Sequence, residues 1–296
     1  MKKRLVALVI GLAAIVVAAS GPALAKVPDH GRQKRPRTVA QPLATAGIPH
    51  GYVVLSSPSL AAPADMQTQG SVSCPPNTVL WGGGVSIASS DLAANVNSSY
   101  PSSTTEWAGN VNNASGTDTT FEVWAICAKQ PRNGYGIPSA TVTNPADSQT
   151  VGVARCGGAS KILGGGIRSS SSSTAVNINS TYPYKARWEG VENNASGSGA
   201  TFTVYAICGH AKLRATYSGS AVPNPAGEDT LSGESCPSYQ VPAGGGEYST
   251  STSTSVNLNG SMPSGNGWQS SETNASGSNQ STQSYVICVG YAPPPG

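Results

Sequence analysis

Charge is scarce in this 296-residue sequence, at 10% of positions, and it holds only two phenylalanines and three methionines. With so few large apolar side chains, small cores are expected. Histidine is nearly missing, and of three only His210 follows residue 53. A hydrolytic triad needs a base beside its nucleophile, and a lone histidine in a connector does not supply one. No G-x-S-x-G elbow occurs, and Gly82-Gly83-Gly84 lacks the Lys-Ser/Thr that makes a phosphate loop. No C-x-x-C pair or histidine at ligand spacing suggests zinc, and the Asp-x-Asp-x-Asp-Gly calcium loop is absent. Acids do not recur in register: Glu106 precedes Trp107, Glu189 follows Trp188, and Gln269 follows Trp268. A paired-carboxylate glycosidase is therefore not indicated. The sequence reads as a non-enzyme with no cofactor and no metal.

What is present is a threefold repeat, which must be found before the fold is read. The middle copy opens at Cys156, passes Gly164-Gly165-Gly166, N-I-N-S-T-Y-P, Trp188 and N-N-A-S-G, and closes on Y-A-I-C at Cys208. The first runs from Cys74 through Gly82-Gly83-Gly84, N-V-N-S-S-Y-P, Trp107 and N-N-A-S-G to W-A-I-C at Cys127. The third runs from Cys236 through Gly244-Gly245-Gly246, N-L-N-G-S-M-P, Trp268 and T-N-A-S-G to Y-V-I-C at Cys288. Six cysteines allow about fifteen pairings, and the repeat singles out Cys74–Cys127, Cys156–Cys208 and Cys236–Cys288. Such loops stabilise by about 4 kcal/mol each in the chain-entropy model. For the glycine triplets, a bulge, a positive φ or close backbone approach is the expectation.

The N-terminus agrees with an oxidising destination. Met1 to Arg4 is cationic, Leu5 to Ala19 is apolar, and Ala23-Leu24-Ala25 ends as a signal-peptidase site does. This gives a signal peptide at 1–25 and no transmembrane segment in the mature chain. Residues 26–53 read as a basic, Pro/Gly-rich disordered leader, followed by β-repeats at 54–136, 137–216 and 217–296. The repeats carry formal charges of −3, +4 and −5, from two, seven and no Lys or Arg against five, three and five Asp or Glu. A body without an overall basic face is not expected to bind nucleic acid.

Within each copy, short alternating runs such as Thr201–Ile207 are bounded by Gly, Ser, Asn and Pro clusters, the mark of strands and turns. No amphipathic 3.6-residue period follows the signal. The fold class is all-β: three tandem disulfide-stapled β-sandwich-like units of about 80 residues. The immunoglobulin pattern does not apply, since its core Trp and corner Tyr stand at other offsets from the cysteines. Separate domains that pack together are favoured, with closure around a pseudo-threefold axis as the alternative, which would remove exposed sheet edges.

The words C-P, G-G-G, S-Y-P, W, N-A-S-G and Y-A-I-C resemble those of secreted bacterial β-repeat proteins of unassigned activity. The resemblance covers about residues 60 to 290 and implies structural motifs without catalytic residues. Similar single units as heads on collagen-like stalks would favour the threefold arrangement.

The repeated aromatic-plus-amide pattern supplies the candidate site: Trp107 with Asn113, Trp188 with Asn194, Trp268 with Asn274. Sugar C–H faces stack on an indole while amides take hydroxyls; the competing reading is a core Trp and a turn. The leading expectation is a secreted, non-enzymatic protein that binds cell-surface or extracellular polysaccharide, or a cell-wall polymer, multivalently. The alternative is a structural or protein-interaction component of the envelope or an extracellular assembly. A hydrolase inhibitor using Lys161 or Lys185–Arg187 is the third. Exposure of the three tryptophans separates the first two.

Overall fold

The computed structural model describes residues 48–212 and 214–290; the expected signal peptide and most of the expected basic leader lie outside them. All its regular elements are strands. The first copy contains β1 (Val53–Ser56), β2 (Leu60–Ala62), β3 (Met66–Ser73), β4 (Val79–Ile87), β5 (Ala94–Pro101), β6 (Glu106–Asn113) and β7 (Thr119–Ala128). The second contains β8 (Ser139–Asn144), β9 (Ser148–Arg155), β10 (Lys161–Ser169), β11 (Val176–Tyr184), β12 (Arg187–Asn194) and β13 (Ala200–Gly209). The third contains β14 (Ala215–Ser218), β15 (Val222–Asn224), β16 (Asp229–Ser235), β17 (Gln240–Ser249), β18 (Val256–Ser264), β19 (Gly267–Asn274) and β20 (Gln280–Gly290).

Disulfides join Cys74 to Cys127, Cys156 to Cys208 and Cys236 to Cys288, one within each copy. The sheets, however, do not respect the copies. One sheet runs β3-β6-β5-β10-β13-β8, joining copy one to copy two. A second runs β14-β20-β17-β11-β12-β9 and joins copies two and three, and a third, β1-β7-β4-β18-β19-β16, joins three back to one. The expectation of separate domains is thus corrected, because each copy divides its strands between two shared sheets. The joints are β5 with β10, β11 with β17 and β18 with β4, so no glycine-triplet strand is left as an open edge.

The glycine triplets explain how backbones come this close. A Cβ on Gly164 would meet Trp81 O at 2.5 Å, and one on Gly244 would meet Leu163 O at 2.6 Å. The third glycines, Gly84, Gly166 and Gly246, lie against the backbone oxygens of Ser261, Ser99 and Thr181 in the adjoining copy. The middle glycines turn inward and carry the indoles of Trp107, Trp188 and Trp268. None of the nine has a positive φ, so close approach and bulging are the reasons for glycine here. A register shift precedes each triplet, as at Ile162/Gly164.

Each N-x-N strand is also bulged, at Val96/Ser98, Ile178/Ser180 and Leu258/Gly260. A bulge re-aims the extra residue, here Asn97, Asn179 or Asn259. Asn97 Nδ2 donates to Val176 O at 2.7 Å, Asn179 Nδ2 to Val256 O at 2.9 Å and Asn259 Nδ2 to Ala94 O at 2.7 Å. These bonds run from copy one to two, two to three and three to one.

The end of the leader needs a second correction. Val53 pairs with Cys127, and the Tyr52 hydroxyl donates to Pro242 O at 2.8 Å in copy three. An aromatic ring with a backbone acceptor holds this stretch in the fold, so residues 48–53 do not belong to a disordered segment. At the next boundary, β14 begins at Ala215 and pairs with β20, slightly before the expected start of the third repeat. No helix among the described residues is long and apolar enough to cross a membrane.

Candidate functional site

The three repeated tryptophans are core residues. Trp107 and Trp188 are 0% exposed and Trp268 is 2% exposed. Their indole nitrogens donate inside the sandwiches, to Ser99 Oγ at 3.1 Å, Thr181 Oγ1 at 2.9 Å and Ser261 Oγ at 2.8 Å. No indole face is available to a sugar, and the expected stacking platform at these residues is corrected on that ground. Acrylamide is accordingly expected to quench these three weakly. Trp124 is half-buried, so most of the accessible component is expected from it, and acrylamide quenching of Trp124→Phe should lack that component.

Asn113, Asn194 and Asn274 are likewise 0% exposed. Asn113 Nδ2 donates to Ala62 O and Thr117 O at 2.9 and 2.8 Å, and its Oδ1 accepts from Ser115 Oγ at 2.6 Å. Asn194 holds Pro145 O and Ser198 O, and Asn274 holds Asn224 O and Ser278 O, all at 2.9 Å. The N-A-S-G words are therefore side-chain-closed turns that bind each copy's entry segment.

An aromatic surface does exist, on the opposite faces of the shared sheets. Where copies two and three meet, β11 presents Tyr182 and Tyr184, β17 presents Tyr248 and β20 presents Tyr285. Ring centroids lie 5.1 Å apart for Tyr182–Tyr248, 5.4 Å for Tyr182–Tyr285 and 6.2 Å for Tyr182–Tyr184. The Tyr182 hydroxyl donates to Glu189 Oε2 at 2.7 Å, and Arg187 Nε donates to Glu189 Oε1 at 2.6 Å. Arg187 and Lys185 sit over the Tyr184 ring at 5.0 and 5.1 Å, in cation–π range. Burial first, then the hydrogen bond and charge of Glu189, raise the Tyr182 phenol well above its ordinary value, so it is a neutral donor at any physiological pH.

Tyr184 is 37% exposed, and Tyr248 and Tyr285 are half-buried. The face thus offers apolar ring area edged by a guanidinium, an ammonium, a carboxylate and the Gln283 amide, whose Oε1 accepts from Tyr285 at 3.1 Å.

The other junctions differ. Between copies one and two, Tyr100 stacks on Tyr205 at 5.9 Å with Arg168 over Tyr100 at 5.5 Å. Between three and one, Met262 and Trp124 hold the corresponding positions and a cleft of about 320 Å³ opens, lined by Ser86, Asp229, Leu231, Met262 and Gln269 among others. Two substitutions account for this gap. Ser98 Oγ and Ser180 Oγ accept from Ser169 N and Ser249 N across their junctions at 2.9 Å, whereas Gly260 has no hydroxyl. Gln67 and Gln149 donate across their junctions to Ser171 O and Ser251 O at 3.2 and 3.1 Å, whereas Asp229 stands in their place and cannot donate.

The sequence contained a trace of the tyrosine face. The Tyr of S-Y-P and the Tyr of Y-A-I-C alternate away from the inward Trp and Cys in their copies. What linear order hides is that tyrosines from different copies meet, Tyr100 with Tyr205 and Tyr182 with Tyr285. Among the described residues no group of three or more His, Cys, Asp and Glu could hold a metal ion. No protein-family model matches the chain, and no curated protein matches it either.

Proposed function

We propose that the chain is an extracellular, non-enzymatic protein that binds polysaccharide on the tyrosine faces formed where copies meet. The observation that carries this reading is the Tyr182–Tyr184–Tyr248–Tyr285 cluster with its rim of Arg187, Lys185 and Glu189. Tyr184, Tyr248 and Tyr285, open in part to solvent around the buried Tyr182 ring, receive sugar C–H faces, while charged and amide groups at the edge take hydroxyls or acidic substituents. Half-buried Tyr205 and exposed Arg168, packed on the buried Tyr100 ring, make a second, smaller site on the same fold. Two weak sites on one chain gain avidity when a polymer spans both. Three disulfides are compatible with an oxidising compartment outside the cell.

Retention of the folded chain on chitin, cellulose and purified bacterial wall tests the reading. Tyr184→Ala/Tyr248→Ala is expected to weaken retention on the bound polymer about tenfold, the equivalent of about 1.4 kcal/mol, with unchanged circular dichroism. Undiminished retention by that folded variant would refute it. Burial of all three tryptophans favours a second reading, a structural or protein-interaction component of the envelope or an extracellular assembly, and that reading predicts no retention of the wild type on any of the polymers.

A further inference from the structure

The interior of the third copy is chemically unlike the other two. Where copy one places Val85, Val111, Phe121 and Val123 inside its sandwich, copy three has Glu247, Glu272, Thr282 and Ser284. Gly70, whose added Cβ would strike Leu60 and press on Phe121, and Gly109, whose Cβ would strike Val85, become Ser232 and Ser270. Small-for-large and large-for-small changes compensate, so the pocket stays filled while its chemistry inverts. Copy two is intermediate, with Ile167, Glu192, Phe202 and Val204 at the four positions.

The new groups bond to one another. Thr282 Oγ1 donates to Glu247 Oε1 at 2.5 Å and Asn224 Nδ2 to Glu272 Oε1 at 2.7 Å. Ser232, Ser270 and Ser284 share hydroxyl bonds, with Ser232–Ser284 at 2.7 Å. Both glutamates are 0% exposed, and each keeps one carboxyl oxygen, Oε2, without a partner. Residues 217–296 contain no Lys or Arg. Two adjacent buried carboxylates without a cation would be very costly.

We propose that Glu247 and Glu272 form a proton-sharing carboxyl pair that latches the third copy, closed in acid and loosened when the proton is lost. Thr282 from β20 donates to Glu247 and Asn224 from β15 to Glu272, and the one titratable group interacting with Glu247 is Glu272 from β19. Burial, then the facing Glu272, hold the Glu247 carboxyl well above its ordinary range. Burial also raises Glu272, against hydrogen bonds from Glu247, Ser249 and Asn224 that lower it. Folded values above unfolded ones mean that the folded chain retains a proton the unfolded chain releases. Stability is therefore greatest in acid and is lost as pH rises through the folded values, opposite to the common behaviour of salt-bridged carboxylates.

The test is the unfolding equilibrium of the intact protein from acid to mildly alkaline pH. One retained proton shifts that equilibrium up to about tenfold per pH unit. Glu247→Gln and Glu272→Gln are each expected to remove the pair's share of this slope, leaving the part that Glu192 and Asp229 contribute because burial raises their carboxyls too, and the double substitution no more than either alone. Equal and additive losses would mean independent groups and overturn the pair. A slope unchanged by either substitution would also overturn it. So would stabilisation by calcium or magnesium that vanishes in the variants, since a cation would then hold the carboxylates together. Hydrogen exchange of the wild type needs no variant. Amides of β15–β20 should lose protection relative to β1–β7 as pH rises, and a uniform change across copies would refute the latch.

Discussion

Gly166→Ala is expected to destabilise the protein by roughly 3 kcal/mol or more and to loosen copy one from copy two, at the upper end of overpacking costs. The added Cβ would fall on Ser99 O, a backbone atom of the strand paired with β10, so no side chain can swing aside. The strand must retreat, and the Ser98 Oγ bond to Ser169 N goes with it. Gly197→Ala, which meets nothing within 4 Å, should change stability by less than about 0.5 kcal/mol, as surface substitutions usually do. Urea unfolding gives the energies, and exchange protection along β5 and β10 locates the damage. Equal effects at the two glycines would mean that the close approach of copies does not hold the fold together.

Opening one disulfide is expected to have an effect of similar size. Cys156 and Cys208 enclose a sequence separation of 52 residues, and removing that link frees about 4 kcal/mol of unfolded-state entropy, within a usual range of about 2–5. Because each copy contributes to two sheets, loss in copy two should weaken both of its junctions. Cys156→Ser/Cys208→Ser is therefore expected to unfold in one transition at lower denaturant. A separate early transition for copy two, leaving the rest unchanged, would contradict the shared-sheet architecture.

Much of this was legible in order along the chain. Strand alternation around Thr201–Ile207, the glycine triplets and the repeated cysteines point to an all-β, triplicated, disulfide-stapled body. Trp188 was ambiguous, because an indole followed by an amide suits a sugar site and a core with a turn equally well. Its burial depends on Gly165 lying directly across the sandwich, a contact between strands that are neighbours neither in sequence nor in hydrogen bonding. Asn144, where the chain enters copy two, donates its Nδ2 to Glu192 Oε1 at 3.1 Å. Copy one has Ala62 and Val111 in those places, so that exchange was present in the sequence as a paired difference between copies.

The sequence by itself determined the strand content, the three copies and the cysteine pairing, because alternation, turn residues and repeat spacing are local or periodic properties. Only the tertiary structure decided that copies share sheets, that tryptophans face inward while tyrosines of different copies meet outside, and that two glutamates face each other. The physical reason is that pairing between copies needs a backbone approach permitted by glycine but directed by the partner strand. Which strand that is, and hence which side chains share a face, is a property of the closed assembly and not of any single repeat.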